Sequence, residues 1–258
     1  MPQPFETKVS GVSFVELQSV DSTNNYAMAR ALEGVAQHGS AYFAHEQTAG
    51  KAQRGKTWIS EKGANIIMSV VIKPLFLQPS EQFKLSACVA VALHEFLKRY
   101  AGDQTKIKWP NDIYWRDRKA AGVLIENVIS TGKLAKSNWQ WAIVGIGVNL
   151  NQVDFPPDLQ NPVSLKQITG ENYDTIDKAK ELWESLNFFL SQFDTEGIDS
   201  IFETYNGNLY KKNEKVRIKK GSRVFEATIK GVSSIGQLVV NHGLEERFDF
   251  GEIEWIIG

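Results

Sequence analysis

The stretch "KWPNDIYWRDRKAAGVLIENVIS", residues 108–130, sets a cation, a proline turn and a long apolar run in immediate succession. Lys108 ends a β-like run, and Pro110 to Asp112 form a turn that directs the side chains of Asn111 and Asp112. "KAAGVLIENV" then reads as an apolar strand flanked by small residues. Together, "TKIKWPNDIYW", "KAAGVLIENVIS" and "NWQWAIVGIGVNL", separated by "RDR" and "TGK" turns, predict three strand-like stretches in antiparallel pairing.

Upstream, "VSFVEL" and "AYFAHEQ" read as strands on either side of a helix in "DSTNNYAMARALEG", which Asp21 or Ser22 can cap and Gly34 can stop. "ANIIMSVVIKP" is a buried strand closed by Pro74, and a long helix follows over residues 80–100, with Phe83, Ala87, Val91 and Leu97 near helical spacing. Downstream, "NQVDFPPDLQNPVS" is irregular, and helices are predicted over 175–194 and from 198 to about 205. The texture then changes. "EKVRIKK", "RVFEATIKGVSS", "GQLVVNH" and "ERFDFGEIEWIIG" are short alternating strands between glycine turns, the pattern of a small β-barrel. The expectation is an α+β fold: a main domain, residues 1–207, with a mixed or antiparallel sheet and flanking helices, followed by an all-β domain, residues 208–258.

Across 258 residues, 29 Lys and Arg face 30 Asp and Glu, so no net field draws the chain toward nucleic acid or an anionic membrane. Any basic feature acts locally. The hydrophobic share of 42% suffices for a packed core. Cys88 is the single cysteine, which excludes an intramolecular disulfide, and its place in a helix of core-like pattern suits a small buried hydrophobe. The start "MPQPFETKVS" lacks the features of a secretory signal, and no apolar run approaches the roughly 20 residues needed to span a bilayer. A soluble, cytoplasmic protein without membrane attachment is expected.

Three stretches invite chemistry. In "GKAQRGKTW", residues 50–58, glycines allow close backbone approach while Lys51, Arg54 and Lys56 offer charge to phosphate or carboxylate oxygens; an exposed loop has the same composition. It fits neither the Walker spacing nor GxGxxG. Lys119 opens an apolar strand, where an inward lysine needs an anionic partner and an outward one is an ordinary edge charge. In "VGIGVNLN", Gly145 and Gly147 interrupt a buried strand that ends at Asn149, which suits either a β-bulge or the approach of a ligand.

Taken in order, "DSTN" opening a helix, a basic glycine loop ending in Trp58, "KWPND", the K-x-A-G of residues 119–122 and the G-x-G-x-N of residues 145–149 resemble the catalytic domain of biotin protein ligases. These enzymes are also called biotin–acetyl-CoA-carboxylase ligases. The resemblance covers residues 10–258, since that family carries a C-terminal SH3-like barrel, and it implies a class II synthetase-like catalytic fold. The family loop usually reads GRGRxGRxW. Here Lys51 replaces an arginine and so a bidentate contact by a point charge, Ala52 replaces a glycine, and Gln53 replaces an arginine and removes a charge. Gly55 and Trp58 carry the match.

The resemblance implies a two-step reaction. Biotin's carboxylate attacks the α-phosphorus of Mg-ATP, giving biotinyl-5′-AMP and pyrophosphate; a lysine amine of a biotin carboxyl carrier domain then displaces AMP. By similarity, Ser22, Thr23 and Gln47 would hold biotin's ureido head, Asn24 and Lys51 would also bind biotin, and Gly50, Gly122 and Gly145 would admit its rings and chain. Lys119 would bind the carboxylate and then the adenylate. Arg54, Lys56 and Lys108 would meet the phosphates, Asn111 and Asn149 would help position the nucleotide, and Trp58 would offer its face to adenine. Asp112 would either orient or deprotonate the incoming amine, or simply support its turn. No direct protein metal cluster is implied. The catalytic pattern begins almost at once, so a ligase without a DNA-binding repressor domain is expected. An exposed sheet edge could pair two protomers or stay alone. The rival readings are a lipoate or octanoate ligase of the same fold, a nucleic-acid module and a non-catalytic biotin sensor.

Overall fold

The computed structural model describes residues 5–9, 12–75, 77–130, 138–159, 161–192 and 195–256. Eight strands form one sheet: β1 (Phe5–Val9), β2 (Val12–Leu17), β3 (Ala41–Ala44), β4 (Ile66–Ile72), β5 (Thr105–Lys108), β6 (Asp112–Trp115), β7 (Arg118–Ser130) and β8 (Asn138–Val148). Their spatial order is β1-β2-β3-β4-β8-β7-β6-β5. The sheet is mixed. β2 and β3 run parallel because α1 (Thr23–Leu32) carries the chain back between them, and every other neighbouring pair is antiparallel.

Strand alternation divides the protein into two layers. On β4 and β8, Ile66, Met68, Val70, Ala142, Val144, Ile146 and Val148 enter the large core with α2 (Gln82–Ala101) and α4 (Thr175–Ser191). Val71 and Ile143 point the other way, into a smaller core with Ala27 and Ala31 of α1. Cys88 lies wholly within the large core, where burial pushes its thiol up to about 12.

After α5 (Thr195–Gly207), a second sheet of five antiparallel strands has the order β12-β11-β10-β9-β13: β9 (Lys215–Lys220), β10 (Arg223–Val232), β11 (Leu238–Asn241), β12 (Glu245–Phe248) and β13 (Glu254–Ile256). It is tied to the first layer by a hydrogen bond from Trp109 Nε1 to the Gly236 carbonyl at 2.8 Å. The amide of Asn206 adds bonds to both backbone groups of Val232.

The α+β architecture agrees with the expectation, and the differences have local causes. "TKIKWPNDIYW" is two strands, because Pro110 has no N–H for a ladder and the chain reverses there. "ERFDFGEIEWIIG" also divides, with Gly251 at φ +101 in the turn between β12 and β13. A short helix not expected, α3 (Leu165–Thr169), starts at a reciprocal Ser164–Gln167 capping box. Ser22 stands at the N-cap position of α1, yet neither candidate caps with its side chain: Ser22 makes no side-chain capping bond, and the Asp21 carboxylate accepts from Asn25 instead. Residues 131–133 and 193–194, where a turn and a helix end were expected, lie outside the described residues.

Trp183 joins the layers. Its ring is 1% exposed and 5.5 Å from Phe14, and Nε1 donates to the Gly39 carbonyl at 2.8 Å. Trp183→Ala is expected to destabilise the protein by about 3–5 kcal/mol, read from urea unfolding.

Candidate active site

The sheet face opposite α2 and α4 carries a cavity of about 290 Å³, and glycine makes it. Where β8 presents Gly145 and Gly147 to this face, a Cβ would collide with Asn24 and with the Trp58 indole respectively. Gly122 of β7 lies directly opposite Gly147, and a Cβ there would come within 3.0 Å of Lys119 Nζ and 3.2 Å of Asp112 Oδ1. Three glycines on two adjacent strands thus form a floor on which side chains from elsewhere rest.

At the α1 end of this floor, Thr23 donates from its backbone N and hydroxyl to Gln47 Oε1, at 2.7 and 3.1 Å. Ser69, on the cavity face of β4, bonds the Thr23 hydroxyl at 2.7 Å or Asn24 Oδ1 at 2.6 Å. Asn24 also donates to Glu126 at 2.8 Å. The Ser22 hydroxyl, unused as a cap, is left to line the cavity. The result is a row of neutral, oriented donors and acceptors.

Beside Gly147 the character changes to charge. Lys119 Nζ lies 2.7 Å from Asp112 Oδ2, and 6.0 Å from the centre of the Trp58 ring. Among the described residues, Lys108 has no carboxylate that close: Nζ donates to the Tyr114 hydroxyl at 3.1 Å and stands over the rings of Tyr114 and Trp255, at 4.6 and 5.6 Å. Burial lowers its pKa to about 8, against the opposing pull of Asp112.

Residues 50–58 cross this charged half as a strap. Their backbone bonds are largely internal, Ala52 N to Lys56 O and Trp58 N to Gly50 O, and side chains moor the strap to the body. Lys51 pairs with Glu126 at 3.1 Å. Gln53 Nε2 donates to Asn111 Oδ1 at 2.7 Å and to the Val123 carbonyl at 2.9 Å. The Arg54 guanidinium lies 5.2 Å over Phe250, and Trp58 sits on Gly147.

A sequence profile described as the Biotin/lipoate A/B protein ligase family matches residues 16–149, more than half of the chain. The chain belongs to the biotin/lipoate A/B protein ligase family. A biotin–[acetyl-CoA-carboxylase] ligase of Paracoccus denitrificans is 30% identical over 231 residues, covering 87% of this chain and 92% of that one. The bifunctional ligase/repressor BirA of Escherichia coli is 29% identical over 249 residues, covering 95% of this chain and 75% of its own length. Among solved structures, a biotin protein ligase from Aquifex aeolicus in complex with biotin and ATP superposes with a TM-score of 0.77 at 23% identity, covering 95% of this chain and 99% of that one, a likeness of fold.

In this family member, Ser22, Thr23, Asn24, Gln47, Lys51, Arg54, Lys56, Trp58, Lys108, Asp112, Lys119, Gly122 and Gly145 all line the cavity. Three expected residues do not. Gly50 lies behind the wall, where a Cβ would meet the Trp58 carbonyl at 2.5 Å and Gln47 Nε2 at 2.8 Å, so it serves the strap's own packing. Asn111 is spent between Gln53 and Ser86 Oγ. Asn149 donates to the Lys119 and Val163 carbonyls, both at 3.3 Å, holding the start of β7. Trp58 lines the cavity with one side of its indole already occupied by Gly147.

The altered strap positions each have a physical account. Ala52 has φ −133, ordinary extended backbone, so no glycine is needed there; the left-handed residues are Arg54 at φ 57 and Gly55 at φ 71. Sequence reasoning missed Gln53 as a mooring and missed Phe250, Ile253, Glu254 and Trp255, which β13 and the turn before it add to the cavity wall. It also missed Glu126, whose signal was alternation: it shares the cavity face of β7 with Gly122 and Leu124. Gly147→Ala, which displaces Trp58 from the floor, is expected to weaken binding of the small substrate by about tenfold or more, in calorimetric titration, while the unfolding midpoint stays near wild type.

Proposed function

We propose that this protein activates biotin as biotinyl-5′-AMP at the expense of ATP and transfers it to a lysine of a biotin carboxyl carrier domain. The observation that carries this reading is the polarity of one cavity: a neutral row from α1 and Gln47 at the Gly145 end, and Lys119, Lys108, Lys56 and Arg54 beyond Gly147. A neutral ureido ring bearing a carboxylate tail, next to a polyphosphate, has that distribution of charge. The relative from Paracoccus denitrificans is named for the same reaction class, and the solved Aquifex aeolicus protein is in complex with biotin and ATP.

In the first step a biotin carboxylate oxygen forms a bond to the α-phosphorus, and the bond to the pyrophosphate oxygen breaks. Negative charge moves from the carboxylate toward the departing pyrophosphate, so fixed cations on both sides of the phosphorus lower the barrier without an enzyme nucleophile. Lys119 faces the carboxylate side, while Lys108, Lys56 and Arg54 serve the polyphosphate side. Magnesium enters with the triphosphate as part of that substrate. In the second step the amine nitrogen bonds to the acyl carbon, AMP leaves with the anhydride oxygen, and the amine gives up a proton. The Asp112 carboxylate, which lines the cavity 2.7 Å from Lys119 Nζ, takes that proton. The strap excludes water from the anhydride meanwhile.

The test is biotin-dependent exchange of labelled pyrophosphate into ATP. Exchange with biotin and none with lipoate is expected, and Lys119→Ala should reduce it by about 100-fold or more. Exchange with lipoate alone would refute the proposal, and undiminished exchange in Lys119→Ala would refute the lysine's role.

Lys108 sets a pH dependence. It is cationic below about 8 and neutral above, so KM for ATP should rise as pH is raised through that value. In Lys108→Arg, which stays charged, the rise should vanish.

A further inference from the structure

A second concavity, of about 590 Å³, opens between the β5–β6 edge of the large sheet and the segment leading from α5 into β9. Tyr210 lines it, with its ring centroid 5.2 Å from Tyr114 and 5.9 Å from Trp255. Trp255 in turn lines the reaction cavity, so one layer of aromatic rings separates the two spaces. Lys106 of the groove and Lys108 of the cavity stand on the same face of β5.

The acids of the groove already have partners. Asp117 accepts from the Tyr210 hydroxyl at 2.6 Å and lies 3.1 Å from Lys211 Nζ; Glu214 lies 3.3 Å from the same lysine, and Asp103 lies 3.2 Å from Lys98. The bonds from Tyr210 and Lys211 hold the Asp117 carboxyl below its usual range, so it is ionised and satisfied. Among the described residues, Lys106, Arg116 and Lys212 pair with no carboxylate, and Arg116 merely covers the Trp115 ring at 4.4 Å. The groove lining thus sets four cations, Lys106, Arg116, Lys211 and Lys212, against three carboxylates, a net charge of +1 on a chain whose total charge is −1. Its shape is also held at a cost: Arg116, Lys211 and Asn213 have φ of 52, 57 and 62, three of the five non-glycine residues with positive φ among those described.

We propose that this groove docks the acceptor protein, through an acidic face beside its target lysine. The inference rests on the reading of the cavity as a site that transfers an acyl group to a protein lysine. The amine must enter, while its domain is far too large for a cavity of about 290 Å³ and must be held outside it. A positively charged groove one ring layer away can hold that domain, and it favours acidic protein surface both in encounter and in register. None of its three unpaired cations lines the reaction cavity, so docking and adenylation are separable.

The test compares the intact protein with a K106E/R116E/K212E variant, using the biotin carboxyl carrier domain of an acetyl-CoA carboxylase as acceptor and hydroxylamine as a small one. At low salt, KM for the carrier should rise about tenfold or more, while biotin-dependent pyrophosphate exchange and hydroxamate formation change by less than about twofold. Added salt should raise the wild-type KM for the carrier and leave that of the variant nearly flat. An unchanged carrier KM, or a parallel fall in exchange and hydroxamate, overturns the proposal. Should the triple reversal not fold, Lys106→Gln with Lys212→Gln removes charge without reversing it and is judged by the same split. If the wild type shows no biotin-dependent exchange, the reading of the cavity fails, and the groove is judged by direct titration of the carrier. Salt-sensitive binding that the variant loses supports the groove, and absence of binding to the wild type overturns it.

Discussion

Side chains of a strand must alternate between faces, and the site depends on how β7 and β8 use that constraint. One face of β8 gives Ala142, Val144, Ile146 and Val148 to the core against α2 and α4, and cannot change without opening it. The opposite face offers Ile143 to α1 and then two glycines, so helix and floor meet first and the floor is bare backbone beyond. Because Gly122 lies opposite Gly147, the bare area spans two strands. Asn24, Trp58 and Lys119, from three distant parts of the chain, converge there because nothing else fills the space.

The charged half shows how cations can be held ready. Lys119 is held by Asp112, whereas Lys108 is surrounded by Tyr114 and Trp255. A lysine on aromatic faces keeps some electrostatic support but loses much hydration, which is why its pKa falls. An incoming anion would restore the lost interaction. The strap adds a second kind of economy: Lys51 and Gln53, where the family pattern has arginines, reach Glu126, Asn111 and the Val123 carbonyl, so these positions bind the protein to itself.

Much of this was legible in the primary structure, and the gaps are instructive. β4 and α2 were readable because their apolar residues recur with a local period. The division at Pro110 and the helix at Ser164 depend on single residues, a missing N–H and a reciprocal cap, which periodicity does not register. Asn111 and Asn149 share an amide with any ligand-binding asparagine. Only their partners, Gln53 and Ser86 for one and two carbonyls for the other, separate mooring from lining.

The sequence by itself determined the α+β class, the succession of motifs and the residue types from which the cavity is made, since period, turn chemistry and side-chain functionality are local properties. Tertiary structure alone decided that the second sheet closes the cavity with Phe250 and Trp255, that Glu126 anchors Lys51, and that three cations stand unpaired one ring layer away. Those relations join residues far apart along the chain. Their proximity follows from how the layers pack, and no local pattern records it.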